Sequence, residues 1–394
     1  MEIFSERWVV LYITGVICEY NPLHVGHKKQ LDTIRNLQGA DSGIVCVMSG
    51  NFVQRGAPAI IGKTARARAA VDCGADLVLE LPVTAALNSA EGFAAGGVSI
   101  LAPFCDQLCF GAETPNDSLF WETARILLCE SFRDALRAEL EKGVSFPAAR
   151  QAALESMGAD ATLLSNPNNI LGVEYCKAIL NQNSKMQILP ICRPGSYHDT
   201  TPDPKNPSAT ALRLQMAENA RWEQFVPEKA YEIFKSEPLH SIHAGERAIL
   251  GKLRCMTDAE FEALPFSGEG LWRKLMHACR TEATLEDIIA ATKSKRYTRT
   301  RLDRMIMCAF LGITQQDLDT PAPYVRVLAL NDKGRSILRK ARETGTFVNV
   351  GEVQDDPYQA LENRCADLYG LFAEDTPEPA GKESKYRIYY PDKK

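Results

Sequence analysis

At 394 residues the chain exceeds the size at which a single hydrophobic core usually stops growing, so two domains are expected, and its 45% hydrophobic and 24% charged side chains are ordinary for a globular protein. No apolar run approaches the ~20 residues needed to cross a bilayer, which argues against a membrane role. The net charge of -5 carries no global signature of nucleic-acid binding, so any polyanion site must be local.

The opening segment, MEIFSERWVVLYITGVIC, has acids before its apolar stretch and no small-residue cleavage site; it reads as the approach to a strand rather than as a secretory signal. Short β-branched runs at 11–18, 43–50, 75–82 and 105–113 then alternate with helical patterns. Strands that alternate with helices pair in parallel through right-handed crossovers, which predicts an α/β, Rossmann-like domain with ligands outside the carboxyl ends of its strands. A long helical region is expected over 117–153, a further helix over 169–180, a strand over 186–191, a Pro-rich loop to Pro207 and renewed helix from Ser208. From about Glu237 the pattern is mainly helical, with a strand-like segment at 324–330 and a charged tail. The reading is a Rossmann-like parallel-sheet domain over 1–225 followed by a mainly helical C-terminal domain over 226–394. Twelve cysteines are scattered singly; the nearest pair, Cys105 and Cys109, has no second pair to complete a zinc set. Buried free thiols in a reducing cytoplasm are the expectation.

The segment GVICEYNPLHVGHKKQL leaves the first strand, turns through Asn21 and Pro22, and enters a helix near Val25. His24 and His27 are three residues apart and share a face of the first helical turn. Two imidazoles and several backbone N–H groups at one helix N-terminus favour phosphate, and Gly26 would let a ligand approach the backbone closely. Such a site suits attack on the α-phosphorus of a nucleotide by positioning and electrostatic stabilisation. A metal site would need a third ligand, for which Glu19 is the nearest candidate; no metal ligation is expected.

The segment GVICEYNPLHVGH resembles the opening of the bacterial tRNA(Met) cytidine acetate ligase family, a branch of the HIGH-type nucleotidyltransferases. The likeness continues through MSGNFVQRGAPAIIGKTARARAAVDCGADLVLELP (48–82), NSAEGFAAGGVSIL (88–101), LCFGAE (108–113), PNNILGVEYCKAI (167–179), RPGSYHD (193–199), SATALR (208–213) and SKRYTRTRLDRM (294–305). Val25, Leu23 and Cys18 depart from the family's usual Asn, aromatic and small residue. About ten residues precede the first strand where the family starts almost directly with it, which points to initiation downstream of Met1.

The resemblance implies an ATP- and Mg2+-using enzyme that converts acetate to acetyl-adenylate and acetylates N4 of the wobble cytidine of elongator tRNA(Met), giving N4-acetylcytidine. It places the ATP site at Gly15, Val16, Ile17, Cys18, Glu19, Tyr20, Asn21, Pro22, His24, Gly26, His27 and Lys28. Gly111, one of Asn168 and Asn169, and Arg193 complete it. The catalytic set would be His24, His27, Lys28, Ser208, Thr210 and Arg213. Taken by itself, SATALR is a helix start with Ser208 as N-cap, whose Arg213 can hold phosphate bidentately. The loop SGNFVQRG offers Asn51, Phe52, Gln54 and Arg55 to a substrate. KSKRYTRTRLDR at 293–304 has six basic residues against one acid, interleaved with Tyr297, and is expected to contact tRNA. The histidine motif alone also fits an enzyme adenylating a small phosphorylated cofactor precursor, and a tRNA-binding protein with a regulatory nucleotide site is a third alternative.

Overall fold

In the computed structural model, residues 12–192, 207–343, 348–349 and 356–391 are described. The apolar runs form β1 (Ile13–Cys18), β2 (Gly43–Ser49), β5 (Leu77–Leu81), β6 (Gln107–Ala112) and β7 (Gln187–Cys192), with a small antiparallel hairpin of β3 (Phe52–Val53) and β4 (Ala57–Pro58) after β2. β8 (Val325–Leu330) and β9 (Val348–Asn349) complete a seven-stranded sheet of order β7-β6-β1-β2-β5-β8-β9. All seven residues of β2 are buried, as a parallel strand covered on both faces requires. The chain runs β1, β2, β5 to one side and β6, β7 to the other, so the topological switch point lies between β1 and β6.

Helices cover both faces. Leu101 and Phe120, from the helices Ala90–Leu101 and Asp117–Leu128, share one core with Val173 of the helix Pro167–Asn181. On the other face, Leu31 of Val25–Gln38, Ala67 of Lys63–Asp72 and Leu212 of Ala209–Ala217 build a second. Gly15 and Gly97 let the first layer press close: an added Cβ would lie 2.8 Å from Leu101 Cδ1 at Gly15 and 2.5 Å from Ile17 Cδ1 at Gly97. A third core is made by helices between 246 and 311 and by residues 361–372, and takes in Phe52, Val83 and Leu87 from the carboxyl edge of the sheet.

Several expectations change in detail. The helical region 117–153 is three helices, broken where Cys129 is extended and where Gly143 takes φ +77°. The strand-like segment near 324–330 returns to the sheet as β8, antiparallel to β5, so an otherwise parallel sheet gains one reversed strand. All twelve cysteines are free thiols. No helix among the described residues is long and apolar enough to cross a membrane.

The return of β8 buries a charge cluster. Lys63 Nζ lies 2.7 Å from both Glu80 Oε1 and Glu383 Oε1; Arg326 reaches Glu80 Oε2 at 3.2 Å and pairs closely with Glu383. Burial disfavours the charge of Lys63, but Glu80 and Glu383 outweigh it and raise its pKa. Two cations thus face two acids, and a third acid, Glu362, sits beside them accepting the Val83 N–H at 2.8 Å. Burial first, and then Glu80, push the Glu362 carboxyl up to about 7. Its protonated form therefore adds stability that is fully present below the ordinary value of 4.5 and is lost as pH rises through about 7. We predict that Glu362→Gln gains in melting temperature over the native chain as pH is raised from about 5 to about 8, in paired thermal melts; a pH-independent difference would contradict the assignment.

Candidate active site

The helix Val25–Gln38 begins in a reciprocal cap. His24, extended at φ -131° and ψ 174°, accepts the Gly26 N–H on its Nδ1 at 3.1 Å, while His27 Nδ1 accepts the His24 N–H at 3.2 Å. An Nδ1 that accepts a backbone N–H carries no proton, so each neutral ring holds its hydrogen on Nε2. The rings stack with centroids 3.7 Å apart at 23°, and Tyr20 tilts against His27 at 5.0 Å. Tyr20 is buried and holds φ +44°, a left-handed conformation unusual for a bulky residue and of a kind that clusters at functional sites. Gly26 has a different use from the one the sequence implied. A Cβ there would stand 2.9 Å from His24 Cε1, so the glycine makes room for the histidine ring.

The backbone beneath this pair is held by Arg66, a residue overlooked in the sequence. Its fully buried guanidinium donates to the carbonyls of Ile61 (2.7 Å), Glu19 (2.6 Å), Ser49 (3.1 Å) and Gly50. Burial presses its pKa down, yet a guanidinium stays protonated in proteins. A positive charge therefore lies at the carboxyl ends of β1 and β2. The signal in the sequence was a cation embedded among the alanines of KTARARAAV.

From 192 residues downstream, Arg213 Nη1 donates to Asn21 O at 2.9 Å and its Nη2 to Thr210 Oγ1 at 3.1 Å. Ser208 caps its helix through Ala211 N at 3.0 Å. The fold thus brings SATALR onto the loop that carries the histidines. Asn21 Oδ1 accepts the Ile60 N–H at 2.8 Å, and Pro22 follows it through a cis peptide.

Other residues expected at the site sit as follows. Val16 is in the core, Ile17 packs over Gly97, and Cys18 ends the strand, its thiol pKa raised by burial. Glu19 accepts the Gln54 N–H at 2.8 Å, and no cluster of three His, Cys, Asp or Glu able to hold a metal occurs among the described residues. Lys28 pairs with Asp32 on the outer face of its helix. Gly111 lies near the end of β6, followed by Glu113, whose carboxylate accepts Asn168 Nδ2 at 2.8 Å and Asn169 N at 3.0 Å. Asn169 is completely buried and accepts the N–H groups of Glu113 (3.0 Å) and Thr114 (3.3 Å); Asn168 stays half-buried. Arg193 lies outside the described residues.

One expectation about substrate contacts is corrected. Phe52 is 1% exposed and packs edge-on against Tyr369 and Phe372, so it belongs to the third core rather than to a substrate. In the basic segment, Arg296 pairs with Glu269 at 2.7 Å, Arg299 pairs with Glu286 and Asp303, Arg301 donates to Phe266 O, and Arg304 is buried over the Phe266 ring. Four of its six cations thus fasten the protein to itself.

A capped histidine pair at the switch point of such a sheet defines a nucleotidyltransferase of the HIGH type. The chain matches the HIGH nucleotidyl transferase family model over residues 11–384. The tRNA(Met) cytidine acetate ligase of Clostridium novyi is 37% identical over 354 residues, covering 85% of this chain and 88% of the relative. That of Anoxybacillus flavithermus is 35% identical over 398 residues, covering 95% and 98%. The apo crystal structure of Thermotoga maritima TmcAL superposes with a TM-score of 0.89 at 29% identity, over 97% of this chain and 100% of that one; the form bound with alpha-thio ATP gives 0.86. The chain belongs to the tRNA(Met) cytidine acetate ligase family of the HIGH nucleotidyl transferases.

The Gly26 contact generates a prediction. Gly26→Ala favours the helix but drives a Cβ into the His24 ring. Expected is an unchanged or higher melting temperature with adenylation lowered about tenfold or more, by analogy with misplacing a transition-state donor; unchanged turnover would show that the ring position is not needed.

Proposed function

We propose that the chain is an ATP-dependent ligase that acetylates N4 of the wobble cytidine of elongator tRNA(Met). The observation that carries this reading is the histidine pair, whose hydrogen-bonded Nδ1 atoms turn both Nε2–H groups into donors at a helix N-terminus. Support comes from the acetate ligase names of relatives that cover most of the chain.

In the first step an acetate oxygen attacks the α-phosphorus of ATP, the bond to the bridging oxygen breaks, and pyrophosphate leaves. The Nε2–H groups of His24 and His27, with the charge of Arg66 behind them, stabilise the negative charge that grows on the phosphoryl oxygens. In the second step the cytidine amino nitrogen attacks the acetyl carbon, the carbon–oxygen bond to AMP breaks, and the nitrogen loses a proton. No protein nucleophile takes part, consistent with a Cys18 thiol pKa raised by burial.

Arg213 and Thr210 orient the histidine loop, and the half-buried Asn168 is the amide assigned to the nucleotide, since Asn169 is committed to the backbone of 113–114. Gly111, Lys28 and Arg193 remain assigned to ATP on the family pattern. Magnesium is proposed to enter with the triphosphate, held chiefly by phosphate oxygens. The residues over 1–225 would carry the nucleotide and those over 226–394 the RNA, in the cytoplasm.

We predict that His24→Ala and His27→Ala each slow acetate-dependent exchange of pyrophosphate into ATP by about a hundredfold or more, the usual cost of removing one transition-state donor. Labelled acetate, ATP and unmodified tRNA(Met) should give labelled N4-acetylcytidine with the native chain only, read by nucleoside mass spectrometry. Exchange without acetate, or transfer of AMP to a small phosphorylated acceptor, would refute the ligase reading.

A further inference from the structure

In the proposed transfer step the attacking amine sheds a proton, and the histidines are not placed to take it. Each commits its Nδ1 lone pair to a backbone N–H, His24 to that of Gly26 and His27 to that of His24, and so holds its hydrogen on Nε2. Both rings are donors. Another group must accept the proton, because the lone pair of an amine attached to an aromatic ring is drawn into that ring and attacks well only as its N–H bond is broken.

The carboxyl edge of the sheet narrows the choice. Three acids stand within two residues of the carboxyl ends of β1, β2, β5 and β6: Glu19, Glu80 and Glu113. Glu80 is buried against Lys63 and Arg326. Glu113 commits one oxygen to Asn168 Nδ2 and the other to Asn169 N. Of the three, Glu19 alone keeps an oxygen uncommitted. Its Oε1 accepts the Gln54 N–H at 2.8 Å, while its Oε2 has no partner among the described residues and, on a half-buried side chain, still reaches solvent.

Glu19 is also well placed. It is the first residue past β1, the strand beside the switch point, and it precedes Tyr20, whose ring lies 5.0 Å from that of His27. Its own carbonyl is held at 2.6 Å by Arg66, the guanidinium behind the histidine pair. Beyond the switch point, Tyr175 packs on Phe110 of β6 at 5.6 Å, and its hydroxyl pKa is pushed up by burial and then by Cys18 and Glu19. Backbone groups thus anchor Glu19 at its carbonyl and at its carboxylate, and its charge is felt on both sides of the crevice.

We infer that Glu19 is the general base of acetyl transfer, an inference that rests on the proposed ligase function. The amine nitrogen forms its bond to the acetyl carbon while the open Oε2 takes one of its protons. The bond from that carbon to the AMP oxygen then breaks, the carbonyl re-forms, and AMP leaves with the electron pair. The proton passes from Oε2 to solvent. Gln54, by holding Oε1, fixes the direction in which Oε2 points.

Two half-reactions of the full-length protein provide the test: acetate-dependent exchange of pyrophosphate into ATP, and acetyl transfer to a synthetic RNA stem-loop with an unpaired loop cytidine. Glu19→Gln keeps an oxygen acceptor for the Gln54 N–H but removes the base. Transfer is expected to fall about a hundredfold or more beyond any loss in exchange, the usual contribution of a general base. Hydroxylamine, whose nitrogen lone pair is localised and needs no such help, then replaces RNA as acceptor; its acetylation should fall no further than exchange does. The ratio of transfer to exchange should decline toward acid pH in the native chain and stay level in the variant. Exchange and transfer falling in parallel would place Glu19 in adenylate formation and overturn the inference, as would transfer by the variant at the native rate. Absence of exchange in the native chain would instead overturn the ligase reading, and this inference with it.

Discussion

The carboxyl ends of parallel strands gather carbonyl oxygens that the sheet no longer pairs, and in this fold one buried guanidinium gathers them. Arg66 binds the carbonyls of Glu19, Ser49, Gly50 and Ile61, so the ends of β1 and β2 and the approach to the helix Lys63–Asp72 converge on a single charge. Unpaired, those carbonyls would cost about 1–3 kcal/mol each and would face an incoming phosphate with the wrong sign of dipole. With Arg66 in place the edge is both satisfied and positive. The histidine loop, anchored through Asn21 to Ile60 and Arg213, is built on that foundation.

The histidine pair shows how a helix terminus can prepare catalytic groups. The orphaned N–H groups of the first turn need acceptors, and imidazole Nδ1 atoms provide them. Capping thereby fixes the tautomer, and fixing the tautomer aims a donor from each ring. The same economy recurs at Glu113, which caps the helix Pro167–Asn181 and at the same time seats Asn168 beside the end of β6.

Local periodicity made much of this legible. The β-branched runs placed β1, β2, β5, β6 and β7 within a few residues, and the three-residue spacing of His24 and His27 put both on one helical turn. The resemblance across 11–305 supplied the family, which the comparisons bear out. What stayed hidden depends on partners remote in sequence. Nothing near 293–304 announces that Glu269, Glu286 and Phe266 take up its arginines. Phe52 looks available until Tyr369 and Phe372 fold over it, and β8 joins the sheet only because β5 offers an edge some 250 residues earlier.

The central claim is that both histidines present Nε2–H donors to phosphate. Nitrogen-15 NMR of histidine-labelled protein at neutral pH tests it directly, with His24→Gln and His27→Gln assigning the two rings. The account predicts that both rings are Nε2–H tautomers with unprotonated Nδ1, and that adding ATP shifts both Nε2 resonances. An Nδ1–H tautomer at either ring, or Nε2 signals indifferent to ATP, would contradict it.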